Sequence, residues 1–477
     1  MSDPQPNFIL FMADELRADA LGAYGNPVAK TPNFDALAKG GTMFTQCHAQ
    51  FPVCGASRCS LLTGWPASVR GHRSLYYLLR PEEPNLFRYL RQAGYDVFWF
   101  GKNDALAAAS FRDSVTAWSD SRPSLAPEQL LTNDSVTPGS VTMLYPPDEA
   151  SRTETGDYLN LLSVIGILER REAARPFCIF LPLLNPHPPY RAPADFHYLY
   201  RARDIPPLLP PGLPKKPAFH AGLRKYSRLA VVPELTLREL RAVYLGQVSY
   251  TDWLLGELME ALARTGHTRD TVVILTSDHG DYAGDYGLVE KWPSGLEDCL
   301  TRVPLIVSVT GAAAAHVVSE MTELFDIMPT MLELAGTRPQ HAHFARSLVA
   351  QLRGSPGDVD RAAFSEGGYN LQEPQVFEPI LPGIYEPKTR LQNEHPEMIA
   401  RCVSVRTRTH KLIVRPGGQS ELYDCRTDPE LANNLIDDVA SASKVQQLRE
   451  QLLEWYVTTS GVPATDRDPR GLPPFER

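Results

Sequence analysis

The chain has 477 residues, of which 43% are hydrophobic and 22% charged, and its formal net charge is −9 with a pI near 5.8. This length can bury a large core, and we expect a larger domain at residues 1–360 and a smaller one at 361–477. The acidic balance argues against nucleic acid as a partner, so local charge must bind any anionic ligand.

Membrane insertion and export are not predicted by any segment. The start of the chain, MSDPQPNFILFMAD, has neither a basic stretch nor a long apolar run, and no later run reaches the roughly 18 apolar residues of a membrane span. The seven cysteines have no regular spacing, which indicates neither a disulfide framework nor a structural zinc site. We therefore expect a cytoplasmic globular protein without a membrane partner.

The first predicted strand carries two acidic residues at its end. Asn7 to Met12 is an apolar run, and it delivers Asp14 and Glu15 at its C-terminal end. Ligand sites in open α/β sheets lie beyond the carboxyl ends of the strands. Asp14 and Glu15 are therefore candidates for a binding or metal site.

The stretch FPVCGASRCSLLTG, residues 51–64, joins a turn of small residues to an apolar helical run. Cys54 is thus predicted near a helix N-terminus, where unpaired N–H groups and the helix dipole favour an anion. We expect Cys54 to be electrostatically activated. Arg58 lies one turn further on the same face, where its guanidinium could bind a tetrahedral oxyanion on the Cys54 side chain.

Two basic residues follow later strands. Tyr95 to Phe100 is predicted as a buried strand, and Lys102 comes just after it. Phe177 to Leu184 is the next buried strand, and it leads into a proline-rich turn that directs His187 from the strand end. The polar segment between them, residues 105–150, is predicted to form loops.

The strongest strand signal is the β-branched run Thr271 to Thr276. It ends in Ser-Asp-His-Gly-Asp, which places Asp278 and His279 at the end of a strand. With Asp14 they can complete an oxygen-rich cation site, and Lys291 adds positive charge. A metal centre is therefore expected at this edge of the sheet.

The rest of the chain is predicted to form further helices, strands and loops. Helices are predicted at Thr31–Gly40, Asn85–Ala93, Thr153–Arg171, Leu235–Thr265 and Met321–Leu334, the last interrupted near Pro329. Strands are predicted at Val303–Val309, Cys402–Thr407 and Lys411–Val414. Asp204 to Pro233 is expected to be a covering loop, since its prolines exclude a regular helix. Glu373 to Pro396 is expected to form part of the substrate rim or a subunit contact in a homo-oligomer.

Together these motifs resemble the sulfatase family. The signature Cys-x-Pro-Ser-Arg with a following Thr-Gly is matched by Cys54, Ser57, Arg58, Thr63 and Gly64, although Ala56 replaces the usual proline. Further matching segments are Gly101–Lys102, His187–Pro189, Asp278–Lys291 and Leu422–Leu435. The resemblance implies an alkaline-phosphatase-like α/β fold, with a large, mostly parallel sheet between helices and a smaller C-terminal domain that carries an antiparallel sheet and a terminal helix.

The resemblance also implies the roles of the candidate residues. In the family, the cysteine is converted to formylglycine by a formylglycine-generating enzyme, and the aldehyde hydrate is the nucleophile. The implied metal ligands are Asp14, Glu15, Cys54, Asp278 and His279. The implied catalytic set is Cys54, Arg58, Lys102, His187 and Lys291. The carboxylates suit Ca²⁺, which the family commonly uses, while an imidazole ligand also suits Mn²⁺.

The implied activity is hydrolysis of a sulfate monoester, on a small molecule or a saccharide, to an alcohol and inorganic sulfate. Two departures from the family keep other functions open. Asp104 occupies roughly the place of a histidine that usually follows Lys102, which leaves a phosphonate monoester or phosphodiester hydrolase as an alternative. Ala56 leaves a non-catalytic anion-binding protein with unmodified Cys54 as another.

Overall fold

A computed structural model of the chain describes residues 5–119, 140–171, 175–309, 314–373, 377–380 and 382–461. The larger of its two sheets is built from nine strands. These are β1 (Asn7–Ala13), β2 (Thr42–His48), β3 (Asp96–Phe100), β4 (Ala117–Ser119), β5 (Phe177–Pro182), β6 (Thr271–Ser277), β7 (Arg302–Ser308), β8 (His316–Val318) and β9 (Thr322–Glu323). The strand order is β4-β3-β5-β1-β6-β7-β2-β8, and β9 pairs with β2.

Helices cover the sheets. They are α1 (Pro32–Gly40), α2 (Cys54–Thr63), α3 (Leu86–Gln92), α4 (Phe111–Ser114), α5 (Gly156–Arg170), α6 (Ala194–His197), α7 (Ala218–Tyr226), α8 (Glu234–Arg264), α9 (Asp298–Thr301), α10 (Ile327–Leu334), α11 (Val349–Leu352), α12 (Glu386–Glu394) and α13 (Ala442–Thr459). Within the described ranges, no helix combines the length and apolar character needed to cross a bilayer.

The centre of the larger sheet is parallel and covered on both faces. Strand β1 pairs in parallel with β5 and β6, whereas β7 runs antiparallel to both β6 and β2. Alternate residues of β1 enter different cores: Ile9 and Phe11 one, Phe8 and Leu10 the other. Burial on both faces explains why these strands are continuous apolar runs in the sequence.

The smaller sheet contains β10 (Ala363–Gly367), β11 (Cys402–Arg406), β12 (His410–Val414) and β13 (Glu421–Asp424), all antiparallel. Helix α13 packs on it through Leu448 and Leu452, which share a core with Val405 and Leu412. This arrangement confirms the predicted fold class. The domain boundary at residue 360 stays a prediction.

Four segments differ from their predictions. The stretch 204–233 was expected to exclude a helix, yet α7 forms within it, because no proline lies between Pro217, just before the first turn, and Pro233. The helix predicted from Met321 begins only at Ile327. Pro329 thus lies in the first turn, where its missing N–H costs no helical bond.

The other two differences are elements that were not predicted, one in 105–150, where only loops were expected, and one in 373–396. In 105–150, β4 extends the larger sheet by pairing in parallel with β3, while residues 120–139 lie outside the described ranges. The proline-rich stretch 373–396 contains α12, which begins immediately after Tyr385.

Candidate active site

The site lies at the carboxyl ends of the parallel strands. The loops after β1, β3, β5 and β6 meet there with the N-terminus of α2. Contacts within 3.5 Å link all nine residues singled out in the sequence into one buried group. They are Asp14, Glu15, Cys54, Arg58, Lys102, His187, Asp278, His279 and Lys291.

Backbone geometry lets the strand-end loops approach one another. A Cβ at Gly101, just before Lys102, would lie 2.2 Å from the carbonyl oxygen of Pro182. A Cβ at Gly280, just after His279, would lie 2.0 Å from the carbonyl oxygen of Cys299. Both positions therefore require glycine. Glu15 has a left-handed φ of 64°, an uncommon conformation for a residue with a side chain and one that clusters at functional sites.

Cys54 is the first residue of α2, as predicted, and it is only 1% exposed. Its Sγ lies 3.2 Å from His279 Nε2, 3.4 Å from Lys102 Nζ and 3.5 Å from Asp14 Oδ1. The prediction of an activated thiol is wrong. Burial raises the pKa of Cys54 well above its usual value, and the Asp14 carboxylate adds to this, outweighing nearby cations. The unmodified thiol is therefore neutral and a poor nucleophile.

Arg58 connects two carboxylates beneath Cys54. Its Nε donates to Asp278 Oδ2 at 2.8 Å and its Nη2 to Asp14 Oδ2 at 3.0 Å, while its Nη1 donates to the backbone oxygen of Lys102 at 3.2 Å. The guanidinium thus fixes the strand ends to α2. Ser57 assists, since its hydroxyl donates to the backbone oxygen of Asp278 at 2.6 Å. An oxyanion contact for Arg58 stays a prediction.

Lys102 has two carboxylate partners. Its ammonium contacts Asp14 and lies 2.8 Å from Asp104 Oδ2. Burial by itself raises the pKa of Asp14, but Lys102 and Arg58 hold it well below its usual range. Burial likewise lowers the pKa of Lys102, but Asp104 and Asp14 raise it well above its usual value. Both groups are therefore charged, and Asp104 partly neutralises the lysine where the family usually has a histidine.

His187 and Lys291 form the outer part of the site. Lys291 Nζ lies 3.2 Å from His187 Nε2 and also contacts a carboxylate oxygen of Glu15. Burial and then Lys291 lower the pKa of His187 well below its usual value, so the imidazole is neutral. The His187 side chain is 13% exposed, more than the other site side chains, which places it at the mouth.

Two groupings of residues could hold a cation. One ligand atom from each member of a group lies within 4.8 Å of the others. The groups are Asp14, Cys54, Asp278 and His279, and Asp14, Glu15, Cys54 and His187. Glu15 Oε2 is buried without a hydrogen-bond partner, as expected of an oxygen that serves as a ligand to a cation. In each group, two carboxylates and an imidazole therefore fit a divalent metal.

Two residues of the site were missed in the sequence. Glu290 contacts Lys291 at 2.8 Å, and Lys388 on α12 contacts both oxygens of Glu290, at 3.1 and 2.9 Å. An acidic residue next to Lys291 was a weak signal for Glu290. Nothing in the sequence indicated Lys388, because its segment reaches the site only through tertiary packing.

Comparison with known proteins agrees with this geometry. The sequence profile of the sulfatase family matches residues 6–337, which is more than half of the chain and includes all nine site residues. The chain belongs to the sulfatase family. This family lies in the alkaline phosphatase superfamily, and metal binding and a formylglycine are general features of the family.

Individual relatives are similar over much of their length. The multifunctional alkaline phosphatase superfamily protein PehA of Trinickia caryophylli is 26% identical over 95% of both chains. Iduronate 2-sulfatase of Mus musculus is 29% identical over 65% of this chain and 60% of its own. The structure of phosphonate monoester hydrolase of Agrobacterium radiobacter has a TM-score of 0.77 at 24% identity, over 95% of this chain and 96% of that one. At this identity the structural likeness concerns the fold.

Proposed function

We propose that this sulfatase hydrolyses a sulfate monoester to an alcohol and inorganic sulfate, with formylglycine at position 54 and a divalent metal. The observation that supports the proposal is the environment of Cys54. Its Sγ lies within 3.5 Å of an imidazole, an ammonium and a carboxylate. Sulfuryl transfer places negative charge on peripheral and leaving oxygens, so it needs fixed positive groups around an aligned nucleophile.

The modification explains how a buried, neutral cysteine can serve such a reaction. A thiol that attacked sulfur would retain the sulfuryl group, whereas an aldehyde hydrate offers one hydroxyl for attack and a second for expelling sulfate. Around it, Lys102 is placed to bind a sulfuryl oxygen, because its Nζ already lies 3.4 Å from the side chain at position 54. Arg58 holds the carboxylates of Asp14 and Asp278 in place.

The leaving oxygen is assigned to the mouth of the site. Lys291 is charged, because its ammonium contacts Glu15 and lies 2.8 Å from Glu290 Oε1, and these acidic partners favour the protonated form. His187 is neutral, so Lys291 is the group that has a proton to donate. We propose that the Lys291 ammonium donates to the leaving oxygen and that His187 orients it, since their nitrogens are 3.2 Å apart.

A bound divalent metal would supply Lewis-acid charge next to position 54. Asp14, Asp278 and His279 would hold it, with Glu15 as a further ligand. The carboxylates favour Ca²⁺, and the imidazole of His279 makes Mn²⁺ the alternative. We propose Ca²⁺ because the donors are mostly oxygen.

The activity is tested with 4-nitrophenyl sulfate and a set of sulfated sugars, using protein co-expressed with a formylglycine-generating enzyme. We expect release of inorganic sulfate that is lost in Cys54→Ala. Cys59→Ala, a buried cysteine on the same helix, is the matched control and should retain turnover. Failure to turn over any sulfate ester by fully modified protein would contradict the proposal.

A second candidate is hydrolysis of a phosphonate monoester or a phosphodiester. The observation that favours it is Asp104, which pairs with Lys102 in place of the family's usual histidine. Like a sulfate monoester, these substrates carry one negative charge, which suits a lysine that is partly neutralised. Comparing kcat/KM for matched 4-nitrophenyl sulfate and phenylphosphonate esters decides between the two activities.

A further inference from the structure

Glu290 lies between two buried lysines and connects the site to the C-terminal part of the chain. Lys388 Nζ is 3.1 Å from its Oε1 and 2.9 Å from its Oε2, while Lys291 Nζ is 2.8 Å from the same Oε1. The three residues are between 2% and 5% exposed. Bulk water is therefore a poor substitute for either ion pair, and the three charged groups depend on one another.

The two sides of this group have different surroundings. Lys291 also reaches Glu15 and His187, both at the site. Glu15 is a candidate metal ligand, so Glu290 is the Lys291 partner that has no other role at the site. Lys388 contacts both oxygens of Glu290 and thereby fixes the orientation of that carboxylate.

We propose that Glu290 and Lys388 are positioning residues, which hold Lys291 Nζ where it meets the leaving oxygen of the substrate. This inference rests on the proposed function, because it takes Lys291 as the donor to that oxygen. A lysine side chain has many rotamers, and holding one of them requires partners that fix its end. Buried ion pairs are better suited to fixing geometry than to adding stability.

The effect of misplacing Lys291 depends on the leaving group of the substrate. A leaving group whose conjugate acid has a high pKa develops more charge on the departing oxygen, so it gains more from a donor in place. A good leaving group departs with little help. Misplacing Lys291 should therefore slow poor leaving groups far more than good ones, whereas a general loss of structure would slow all substrates equally.

The experiment measures kcat/KM for a series of substituted aryl sulfates on Lys388→Met, Lys388→Arg and Glu290→Gln, with rates expressed per formylglycine. For Lys388→Met and Glu290→Gln we expect a loss within about threefold for the best leaving group and on the order of 10²-fold for the poorest. Lys388→Arg should recover most of the loss, since it keeps the charge. Arg390→Met, which removes an exposed cation from the same helix, should match the wild type.

A uniform loss across the series, or an unchanged slope in Glu290→Gln, would overturn the inference. Glu290→Gln is isosteric and is the deciding variant if Lys388→Met does not fold. The wild type separates this result from a failure of the proposed function. The proposed function fails only if fully modified wild type turns over no sulfate ester. If it hydrolyses no aryl sulfate, the same slope is measured with aryl phosphonate monoesters, on which a uniform loss would still overturn the inference.

Discussion

The side chains around Cys54 place three cations, Arg58, Lys102 and Lys291, next to several carboxylates. Each cation has a carboxylate partner at 2.8 Å or less, so none of the three is an unpaired positive charge before a ligand binds. Such pairs keep flexible side chains in one orientation, while the buried position strengthens their effect on a bound anion. Pre-organisation, more than excess positive charge, is what this arrangement offers.

Asp14→Asn should remove the bound metal and nearly all turnover, because it replaces an anionic ligand with a neutral amide. It should also lower the melting temperature, since Arg58 and Lys102 lose a buried partner. Asp285→Asn is the matched control: Asp285 is a buried aspartate paired with Arg17 and Arg241. The control should lose stability and keep its metal. Metal analysis and melting curves test both, and a fully metallated Asp14→Asn protein would remove Asp14 from the site.

Lys102→Ala should reduce turnover on the order of 10²-fold, comparable to the loss of one pre-organised donor. Asp104→Asn should act in the opposite direction on binding and lower KM for the monoanionic ester, because it releases the lysine from a partner 2.8 Å away. Steady-state kinetics on one substrate measure both. A change within about threefold for Lys102→Ala would show that this lysine does not contact the reacting group.

Secondary structure was predicted correctly where a single local sequence pattern determined whether a segment forms a helix or a strand. The β-branched run predicted at Thr271–Thr276 forms β6 with one further residue, and the helix predicted at Asn85–Ala93 forms α3 over Leu86–Gln92. Strand β2 was not predicted, since TMFTQCH mixes polar and apolar residues. Helix α12 was missed because the prolines around it outweighed its own helix-forming residues.

The residues of the site show the same contrast between features that have a clear signal in the sequence and features that do not. Strand ends fixed the places of Asp14, Lys102 and Asp278, because parallel strands bring their carboxyl ends to one edge. The environment of each group was not predictable. The neutral thiol of Cys54 and the pairing of Lys388 with Glu290, 98 residues away, depend on burial and packing that no local pattern encodes.

Helix α1 depends on a carboxylate from α8. Asp252 accepts hydrogen bonds from the backbone N–H of Phe34 at 2.7 Å and of Asn33 at 3.3 Å, at the start of α1. Burial raises the pKa of Asp252 to about 6 despite these bonds. The folded state thus binds this proton more tightly than the unfolded state does, and the associated stability is present below pH 4 and is lost as the pH rises to about 6.

Denaturant unfolding between pH 4 and 7 tests this pH dependence. Relative to Asp252→Asn, which cannot titrate, the wild type should lose about 3 kcal/mol of unfolding free energy as the pH rises through this window. Parallel curves for the two proteins would show that Asp252 titrates in the folded state as it does in the unfolded chain.

At the scale of the whole molecule, the smaller sheet is joined to the catalytic part by buried charge. Lys411 on β12 lies 2.7 Å from Asp298 and 3.0 Å from Thr301, and Arg406 on β11 lies 3.2 Å from the same aspartate. Together with the Lys388–Glu290 contact, this joins the C-terminal part of the chain to the site. The two parts are therefore expected to unfold together.

Lys411→Met should lower the unfolding free energy by about 3 kcal/mol, since it removes one partner of a buried ion pair. Arg426→Met, which removes an exposed pair with Asp424 after the neighbouring strand β13, should have little effect. Calorimetry should show one transition for both variants. A separate early transition in the wild type would contradict the expected joint unfolding.

The central claim is that turnover belongs to protein carrying formylglycine at position 54. The measurement is peptide mass analysis across Phe51–Arg58, on preparations made with and without a formylglycine-generating enzyme, beside sulfate release by the same samples. We expect the mass loss of replacing CH₂SH by an aldehyde, with turnover proportional to the modified fraction despite Ala56. Robust turnover by a sample whose Cys54 is entirely unmodified would contradict the mechanism, whereas bound metal with unmodified Cys54 and no turnover would support an anion-binding protein.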